Sequence, residues 1–336
     1  MLGAEQQQTS LDEPLILFYR QLARMSRDMI EPPPPMRLQP ADNSKAAKRR
    51  APSRHPYEWS IGIYAGDSPL NLSPAREARN PVLSRDDVSD VPAAFVADPF
   101  MLKVKRDWYM FFEVMNSQSD KGEIALAVSA DGFNWEYRQI VLDEPFHLSY
   151  PYVFEWQGAH YMIPEAQQPC TVTLYKANPF PTHWSVVGRL IKEEGADSSI
   201  FHFEGRWWLF TCATPFQHDT LRLYFADDLL GPWSEHPASP IVKGNHRIAR
   251  PGGRVLVLDG MVVRFAQDCQ PTYGSEVRAF KISTLTPTDY CEQEAIESPI
   301  LGPSGRGWNK SGMHTVDPHL VSKGRWLACV DGVIRE

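Results

Sequence analysis

The stretch VADPFMLKVKRDWYMFFE, residues 96–113, decides the fold because related versions of it occur four more times along the chain. Each version has an opening polar residue, often followed by proline, then an apolar run, a tight turn and a second apolar run. A recurring unit is a stronger indication of fold than any local motif. The further copies are LSYPYVFEWQGAHYMIPE (148–165), GADSSIFHFEGRWWLFTC (195–212), IARPGGRVLVLDGMVVRFAQ (248–267) and TVDPHLVSKGRWLACVD (315–331).

Each copy predicts a β-hairpin, because a turn pair suited to a tight reversal separates its two apolar runs. Glycine supplies the positive φ that such turns need, and four copies carry it. The predicted turn pairs are Arg106-Asp107, Gln157-Gly158, Glu204-Gly205, Asp259-Gly260 and Lys323-Gly324. About six residues out and six back, at ~3.3 Å each, return the closing residue beside the opening one.

The hairpins therefore bring ten positions to one rim. The opening positions are Asp98, Tyr150, Asp197, Arg250 and Asp317, and the closing positions are Glu113, Glu165, Cys212, Gln267 and Asp331.

A further pair of apolar runs follows each of the first four hairpins, within 122–142, 170–191, 219–236 and 275–294. Four antiparallel strands per unit, repeated radially, form the blade of a β-propeller. Nothing follows the fifth hairpin, and residues 57–74 look like the strands that complete it. The sequence thus predicts an all-β, five-bladed β-propeller over 57–336, with N-terminal strands closing the last blade and removing open sheet edges.

Residues 1–56 differ in character from the repeats. Apolar residues spaced through 11–30 predict an amphipathic helix, which Pro32 to Pro35 would end. A basic tract follows and is typical of a solvated linker. We expect a short helical arm packed on the side of the propeller, in preference to an assembly or membrane-surface element. No apolar run approaches the ~20 residues of a membrane span.

The composition is that of an ordinary soluble protein, with 336 residues, 43% hydrophobic and 22% charged. A net charge of −7 gives no reason to expect nucleic acid or an anionic membrane as a partner. The five cysteines lack CxxC spacing and predict free thiols in a reducing compartment. We therefore predict a cytoplasmic protein of one large domain and an arm.

The rim is the predicted binding site. A single aspartate at a strand start often only caps a turn, but several in register indicate a solvated funnel at the axis. Facing carboxylates are the groups that cleave glycosidic bonds, and aromatic rings stack on sugar C–H faces. The aromatic candidates are Trp108, Tyr152, Trp207, Tyr273 and Trp308. The sequence has no phosphate loop, dinucleotide fingerprint, zinc motif or serine elbow.

The repeats with their Asp-Pro opening resemble the five-bladed propellers of glycoside hydrolase family 43 and its relatives, including family 32. The resemblance implies that Asp98 acts as the catalytic base and that Asp197 tunes pKa values and orients the substrate. The family's general acid is a glutamate that opens the fourth blade, where this chain has Arg250. A guanidinium cannot give up its proton near neutral pH.

A second resemblance covers nearly all of 57–336 and rests on GEIALAVSADGFNW, LDEPFHLSYPYVFE, ADSSIFHFEGRWWLF, ARPGGR and GWNKSGMHTVDPH. These segments are similar to the propeller region of plant glucosamine inositolphosphorylceramide transferases and of bacterial stand-alone relatives. In the plant proteins, transfer is ascribed to a downstream domain. The resemblance implies a role in sugar chemistry that accompanies glycosyl transfer.

The residues themselves leave two roles open for Arg250. Its planar fork could recognise an anionic sugar, or it could be a counter-ion for Asp98 or Asp197. The remaining carboxyl groups near the rim are Glu165, Glu113 and Asp268, and His314 is a further proton carrier. We predict catalytic roles for Asp98, Asp197 and Glu165. The predicted substrate-binding residues are Glu113, Tyr150, Arg250, Asp268, Tyr273, His314 and Asp317.

Three functions are compatible with this pattern. The first is a carbohydrate-active enzyme, either glycosidase-like or glycosyl-transferring, that acts on a glycan or sugar conjugate. The second is a non-catalytic glycan-binding module that assists a separate glycosyltransferase, as Arg250 suggests. The third is a structural propeller whose helix recruits a partner. No cofactor is predicted, and a Ca²⁺ ion held by oxygen ligands at the axis is the alternative to that prediction.

Overall fold

Five antiparallel sheets form a five-bladed β-propeller in the computed structural model, which describes residues 56–335 apart from positions 167 and 169. The predicted fold class is confirmed. The helix predicted over 11–30 lies outside the described residues. None of the described helices is both long enough and apolar enough to cross a lipid bilayer.

The strands are numbered in chain order, and the blades are numbered from the first complete one. The described chain begins with β1 (Tyr57–Ser68) and β2 (Asn71–Pro74), which belong to blade 5. Blade 1 contains β3 (Ala93–Val104), β4 (Asp107–Asn116), β5 (Lys121–Ser129) and β6 (Glu136–Leu142). Blade 2 contains β7 (Ser149–Trp156), β8 (Ala159–Glu165), β9 (Val172–Ala177) and β10 (Trp184–Ile191).

The later blades are less regular. Blade 3 contains β11 (Ala196–Phe203), β12 (Arg206–Cys212), β13 (Thr220–Ala226), β14 (Ser234–Glu235) and β15 (Val242–Lys243). Blade 4 contains β16 (Arg250–Pro251), β17 (Leu256–Leu258), β18 (Met261–Asp268), β19 (Glu276–Leu285) and β20 (Tyr290–Glu294). Blade 5 contains β21 (Val316–Ser322) and β22 (Arg325–Arg335) together with β1 and β2. Two short 3-10 helices span Arg85–Asp87 and Gly307–Asn309.

Blade 5 is built from both ends of the described chain. Strand β1 pairs with β22 over ten positions, from Tyr57 opposite Arg335 to Gly66 opposite Trp326. Within the sheet, β1 lies third from the axis and β2 fourth. This pairing joins distant parts of the chain and completes the fifth blade of the ring.

The hairpin turns follow the sequence pattern with one exception. Gln157-Gly158 has φ of +50° and +74°, and the turns at 204–205 and 259–260 likewise have two positive φ angles. The first turn was predicted at Arg106-Asp107, but Val104 pairs with Asp107. The turn is therefore one residue earlier, and Lys105 takes the left-handed conformation with φ +58°.

Most of the aromatic residues considered for sugar stacking belong to the core instead. Trp108, Tyr152 and Trp207 are only 4%, 1% and 4% exposed. Large rings fill the wedge-shaped space between neighbouring blades, where apolar burial stabilises the ring of sheets. Tyr273 is the candidate that remains half-buried beside the axis.

Candidate functional site

Three of the predicted opening residues share an unusual backbone conformation. Asp98, Tyr150 and Asp197 have φ of +53°, +45° and +50°. Each lies where the pairing of its hairpin shifts by one residue, as in a β-bulge. Bulges re-aim side chains and are common next to functional sites. All three side chains are buried, with 5%, 0% and 1% of their surface exposed.

Carboxylates from neighbouring blades satisfy the backbone amides of these three residues. The Asp98 amide donates to Asp331 Oδ2 at 3.0 Å, and the Tyr150 amide donates to Asp98 Oδ2 at 3.2 Å. The Asp197 amide donates to Glu165 Oε2 at 3.1 Å. A chain of hydrogen bonds thus runs across blades 5, 1, 2 and 3 and fixes the positions of these carboxylates. We call the buried carboxyl groups of Asp98, Glu113, Glu165, Asp197 and Asp331 the axial cluster.

Arg250 joins blade 4 to this cluster. Its Nε donates to Asp197 Oδ2 at 2.6 Å, and its Nη2 donates to Glu165 Oε2 at 2.9 Å. Nη1 donates to the Pro215 carbonyl at 3.0 Å and lies 3.1 Å from His218 Nδ1. The side chain is 3% exposed. Of the two roles left open by the sequence, the structure shows that of a counter-ion, for Asp197 and for Glu165.

His314 lies between two of the carboxylates. Its Nδ1 is 2.7 Å from Asp331 Oδ2, and its Nε2 is 3.6 Å from Asp98 Oδ1. The ring stacks on Trp59 with 4.0 Å between centroids. Burial alone would lower the pKa of His314, but the two carboxylates raise it above the ordinary value. The surroundings therefore favour the charged imidazolium.

Glu113 and His147 form a second proton-carrying pair beside the cluster. The Gly122 amide donates to His147 Nδ1 at 2.8 Å, which leaves Nε2 to face Glu113 Oε1 at 3.4 Å. Burial lowers the pKa of His147 to about 4. Burial and the nearby Asp98 carboxylate raise the pKa of Glu113 well above its usual range. These surroundings therefore favour the protonated form of Glu113, and His147 is uncharged near neutral pH.

The axial cluster has more acidic than basic groups. Its buried carboxyl groups are those of Asp98, Glu113, Glu165, Asp197 and Asp331. The buried cations facing them are one guanidinium and one imidazolium, from Arg250 and His314. Burial raises the pKa of Asp98, and that of Asp197 lies well above its usual range because burial and neighbouring acids outweigh Arg250. The cluster therefore has more carboxyl groups than cations, and the raised pKa values favour the protonated form of Asp98, Glu113 and Asp197.

Asp317, the fifth opening residue, lies deeper along the axis than the others. Its Oδ1 accepts from Arg254 Nε at 2.5 Å, and its Oδ2 accepts from the Met101 amide at 2.6 Å. Arg254 Nη2 also donates to the Val153 carbonyl at 2.9 Å. Met101 and Val153 are three residues beyond the opening residues of their strands, about 10 Å along the axis. Arg254 and Asp317 thus fill the hub beneath the cluster.

Gly253 allows the close approach of the chain that places Arg254 in the hub. Gly253 has φ +144° and forms a parallel bridge with Val316 of blade 5. A Cβ atom on Gly253 would lie 1.8 Å from the Val316 carbonyl oxygen, so only glycine fits there. The Gly253 amide donates to the Tyr150 hydroxyl at 2.6 Å. The close approach of blades 4 and 5 therefore points the next residue, Arg254, across the hub.

Tyr273 lies against the axial cluster, as the sequence predicted. Its ring is 5.3 Å from the Arg250 guanidinium, 5.1 Å from the His218 ring and 5.2 Å from the His314 ring. Because Tyr273 is only half-buried, its ring is a surface that an incoming ligand would meet.

Asp268 lies apart from the cluster. Its Oδ2 accepts from Arg247 Nε at 3.0 Å and from Arg278 Nε at 2.8 Å, and its Oδ1 accepts from the Gln270 amide. Successive side chains of a strand point to opposite faces. Asp268 therefore points away from its neighbour Gln267, which donates to Asp197 Oδ2.

One group of described residues has the spacing of a metal site. Ligand atoms of Asp98, His314 and Asp331 all lie within 4.8 Å of one another. Calcium prefers six to eight oxygen ligands, whereas a histidine nitrogen suits transition metals. The Ca²⁺ ion considered from the sequence stays a prediction.

Several residues of the site were missed by sequence reasoning. Asp331 was placed on the rim as a closing residue, and its role was not recognised. Arg254 follows the Gly-Gly pair, a signal for close backbone approach that could have indicated its position. His147 and His218 lie in loops, where no periodic pattern marks them.

Known proteins are similar to this chain over most of its length. Residues 55–333 match the family described as "Glucosamine inositolphosphorylceramide transferase 1, N-terminal". The chain belongs to this family. It is 36% identical over 297 residues to glucosamine inositolphosphorylceramide transferase 1 of Oryza sativa subsp. japonica, covering 82% of this chain and 40% of that protein. The protein of the same name from Arabidopsis thaliana is 36% identical over 295 residues, covering 82% and 39%.

The chain therefore spans about two fifths of the length of these relatives, and the resemblance stated from the sequence is confirmed. Among solved structures, the exo-β-1,3-galactanase 1,3Gal43A from Clostridium thermocellum is similar with a TM-score of 0.53 and 15% identity. That match covers 71% of this chain and 59% of the galactanase. At this identity, the likeness shows that the two proteins share a propeller fold.

Proposed function

We propose that this propeller binds a sugar conjugate with a positively charged amino group at the axial cluster, and that it assists a separate glycosyltransferase. The observation that carries the proposal is the excess of carboxyl groups over cations in the cluster, in which five buried carboxyl groups face one guanidinium and one imidazolium. The names of the relatives, which span far more chain than this protein, specify glucosamine and transfer.

The chemistry of the cluster suits such a ligand. Carboxylates accept hydrogen bonds from sugar hydroxyl groups, and charge-assisted bonds are about twice as strong as neutral ones. An ammonium group of a ligand would pair with carboxyl groups of the cluster that Arg250 and His314 do not neutralise. The half-buried Tyr273 ring offers an apolar face on the same side. Arg250 is occupied by Asp197 and Glu165, which argues against recognition of an anionic sugar.

A matched pair of ligands tests the proposal. Isothermal titration calorimetry would compare methyl glucosaminide with methyl N-acetylglucosaminide, which has the same ring hydroxyl groups but no charge. We expect the charged sugar to bind at least tenfold more tightly. The Asp98→Asn variant should reduce this preference because it removes one of the carboxylates. The Asp268→Asn variant is the control, since that carboxylate is held by Arg247 and Arg278 away from the cluster.

Two results would contradict the proposal. One is the absence of saturable binding of either sugar to a folded protein. The other is equal affinity for the two sugars, because the excess of carboxyl groups would then have no role in recognising the ammonium group. The link to glycosyl transfer would be tested separately by asking whether the propeller changes the KM of a purified glucosaminyltransferase for its acceptor.

Glycosidic bond cleavage or transfer is the second candidate function. It is favoured by Glu113, whose raised pKa favours the protonated carboxylic acid near Asp98. A protonated carboxylic acid and a carboxylate are the two groups that this chemistry needs. Arg250 excludes the residue that opens blade 4 as the acid, so Glu113 would have that role.

Turnover of a panel of nitrophenyl glycosides distinguishes the two candidates. If cleavage occurs, Glu113→Gln and Asp98→Asn should each lower kcat by at least a hundredfold while glycoside affinity changes little. A panel without turnover, together with binding of the charged sugar, would leave the binding function alone.

A further inference from the structure

A second concave site lies at the opposite end of the propeller from the axial cluster. It is a cavity of about 400 Å³ between blades 2 and 3, beside the turns that follow β7 and β11. Trp156 lies six residues beyond Tyr150 on the same strand, so the cavity and the axial cluster are about 20 Å apart. Of the residues considered for the functional site from the sequence, Trp207 lines this cavity, whereas the predicted catalytic and substrate-binding residues do not.

Aromatic rings form the floor of the cavity. The Trp156 ring lies 4.7 Å from the His202 ring at an angle of 40°, and 4.8 Å from the Trp207 ring at 73°. Trp207 is buried and supports the other two, which are half-buried. Leu230, which is 58% exposed, adds an aliphatic edge. The cavity thus has a rigid apolar surface of the size of a sugar ring.

Polar groups with spare hydrogen-bonding capacity surround this floor. Within the described part of the chain, the Gln157 amide, the Lys176 ammonium and the His202 ring nitrogens make no hydrogen bond or ion pair. Asp228 Oδ1 accepts from the Leu230 amide at 3.2 Å, which leaves its Oδ2 open. An apolar floor with a few convergent polar groups, in a cavity of about 300–1,000 Å³, is the usual form of a small-molecule site.

We infer that this cavity is a second saccharide-binding site, which takes a neutral pyranose unit of an oligosaccharide. The C–H face of the pyranose packs on Trp156, and its hydroxyl groups bond to Gln157, His202 and Asp228. A flat apolar partner would not use these polar groups, and a multiply charged one would meet both Lys176 and Asp228. The inference is independent of the axial cluster, because the two sites share no residue.

Saturation-transfer NMR and calorimetry with four neutral disaccharides test the inference: cellobiose, maltose, lactose and β-1,4-mannobiose. We expect at least one of them to bind. Trp156→Ala should weaken that binding at least tenfold, and Asp228→Ala should weaken it several-fold. Trp184→Ala is the matched control, since it removes a half-buried tryptophan of the same blade that lies outside the cavity. Asp98→Asn should have no effect.

Each remaining outcome overturns the inference. The cavity is not a saccharide site if none of the four disaccharides binds, or if both cavity variants keep the affinity of the parent protein. Loss of binding in Asp98→Asn with full binding in Trp156→Ala would place the saccharide at the axial cluster alone. Circular dichroism and thermal melting establish that the variants are folded, and Asp228→Ala, at an exposed position, serves if Trp156→Ala fails to fold.

Discussion

Two Asp-Pro pairs of the repeat, at Asp98 and Asp317, have the same sequence and opposite surroundings. Asp98 lies at a bulge with φ +53°, and its carboxylate bonds to the Tyr150 amide and the Thr315 hydroxyl. Asp317 lies in regular pairing opposite Cys329, and its carboxylate bonds to Arg254. A single shift in strand register therefore separates a residue of the axial cluster from a residue of the hub.

The pKa values of the two aspartates shift in opposite directions. Burial raises the pKa of Asp98, and His314 offsets the shift only in part. Burial would raise the pKa of Asp317 too, but Arg254 and His319 lower it to about 2. The comparison shows that the balance between neighbouring cations, neighbouring acids and burial, and not the dipeptide, decides whether an aspartate at this axis can hold a proton. The hub therefore has the character of a structural ion pair, whereas the axial cluster is the proposed binding site.

Removal of Arg254, the cation of the hub, is expected to have the largest effect on the free energy of unfolding. Arg254→Met would remove the guanidinium partner of the buried Asp317 carboxylate, which keeps the His319 ring at 3.0 Å, and the bond that Arg254 donates to the Val153 carbonyl. Breaking a buried pair by removing one member costs about 3–5 kcal/mol. Chemical unfolding would measure the loss. Arg325→Ala, at a half-exposed ion pair with Glu77, is the control and should cost less than about 1 kcal/mol.

The double variant Arg254→Met with Asp317→Leu sharpens this prediction. Replacing both members of a buried pair by apolar side chains is often neutral, so the double variant should regain much of the lost stability. If it is as unstable as Arg254→Met alone, the unpaired charge is not the source of the loss.

Gly253→Ala is expected to have the next largest effect. It should lower the free energy of unfolding by about 3 kcal/mol, because it forces blades 4 and 5 apart. The new Cβ would lie 1.8 Å from the Val316 carbonyl oxygen, at φ +144°. Gly158→Ala is the matched control: its φ is +74°, but no heavy atom lies within 4 Å of the added Cβ. Its cost should be about 1 kcal/mol. Thermal melts of the two variants would compare them, and equal costs would contradict the role assigned to the contact.

The sequence predicted the fold better than the site, for physical reasons. Hairpin periods and turn glycines are local features, and they were enough to locate the five blades. The depth of Asp317 depends on strand register and on the close approach at Gly253, which no local pattern reports. The partner of Arg250 depends on three blades meeting at the axis. A sequence can indicate which polar residues approach the axis, but not which of them will pair.

The pH dependence of stability is expected to have opposite signs at the two Asp-Pro pairs. The unfolded pKa of an aspartate is about 3.9. Asp317, lowered to about 2 in the folded protein, contributes stability that is present above pH 4 and is lost as the pH falls toward 2. The shift corresponds to about 2.6 kcal/mol. Asp317→Asn should therefore differ most from the parent protein near pH 5 and least near pH 2.

Asp98 should behave in the reverse manner. Its pKa is raised on folding, so the folded state holds this proton more tightly and loses stability as the pH rises above 4. The stability of Asp98→Asn relative to the parent protein should therefore increase with pH. Urea titrations at pH values from 3 to 7 would measure both trends. Parallel curves for Asp98→Asn and Asp317→Asn would contradict the distinction between hub and axial cluster.

Tyr150→Phe tests a side chain that links the two regions, with the smallest expected effect on stability. The Tyr150 hydroxyl accepts from the Gly253 amide at 2.6 Å and lies 2.9 Å from Ser199 Oγ. Without the hydroxyl, a buried amide loses its acceptor, at a cost of about 1–2 kcal/mol. Tyr109→Phe is the control, since its hydroxyl makes no hydrogen bond within the described chain. Amide hydrogen exchange at Gly253 would show the effect directly.

Because Gly253 adjoins Arg254, faster exchange there should be accompanied by a lower cost of Arg254→Met in the Tyr150→Phe background. Residues of one hydrogen-bond network are coupled, whereas independent ones have additive effects. Strict additivity of Tyr150→Phe and Arg254→Met would show that the axial cluster and the hub are independent layers. Non-additivity of 0.5 kcal/mol or more, on the order of coupled neighbours, would show that the hub holds the axial cluster in place.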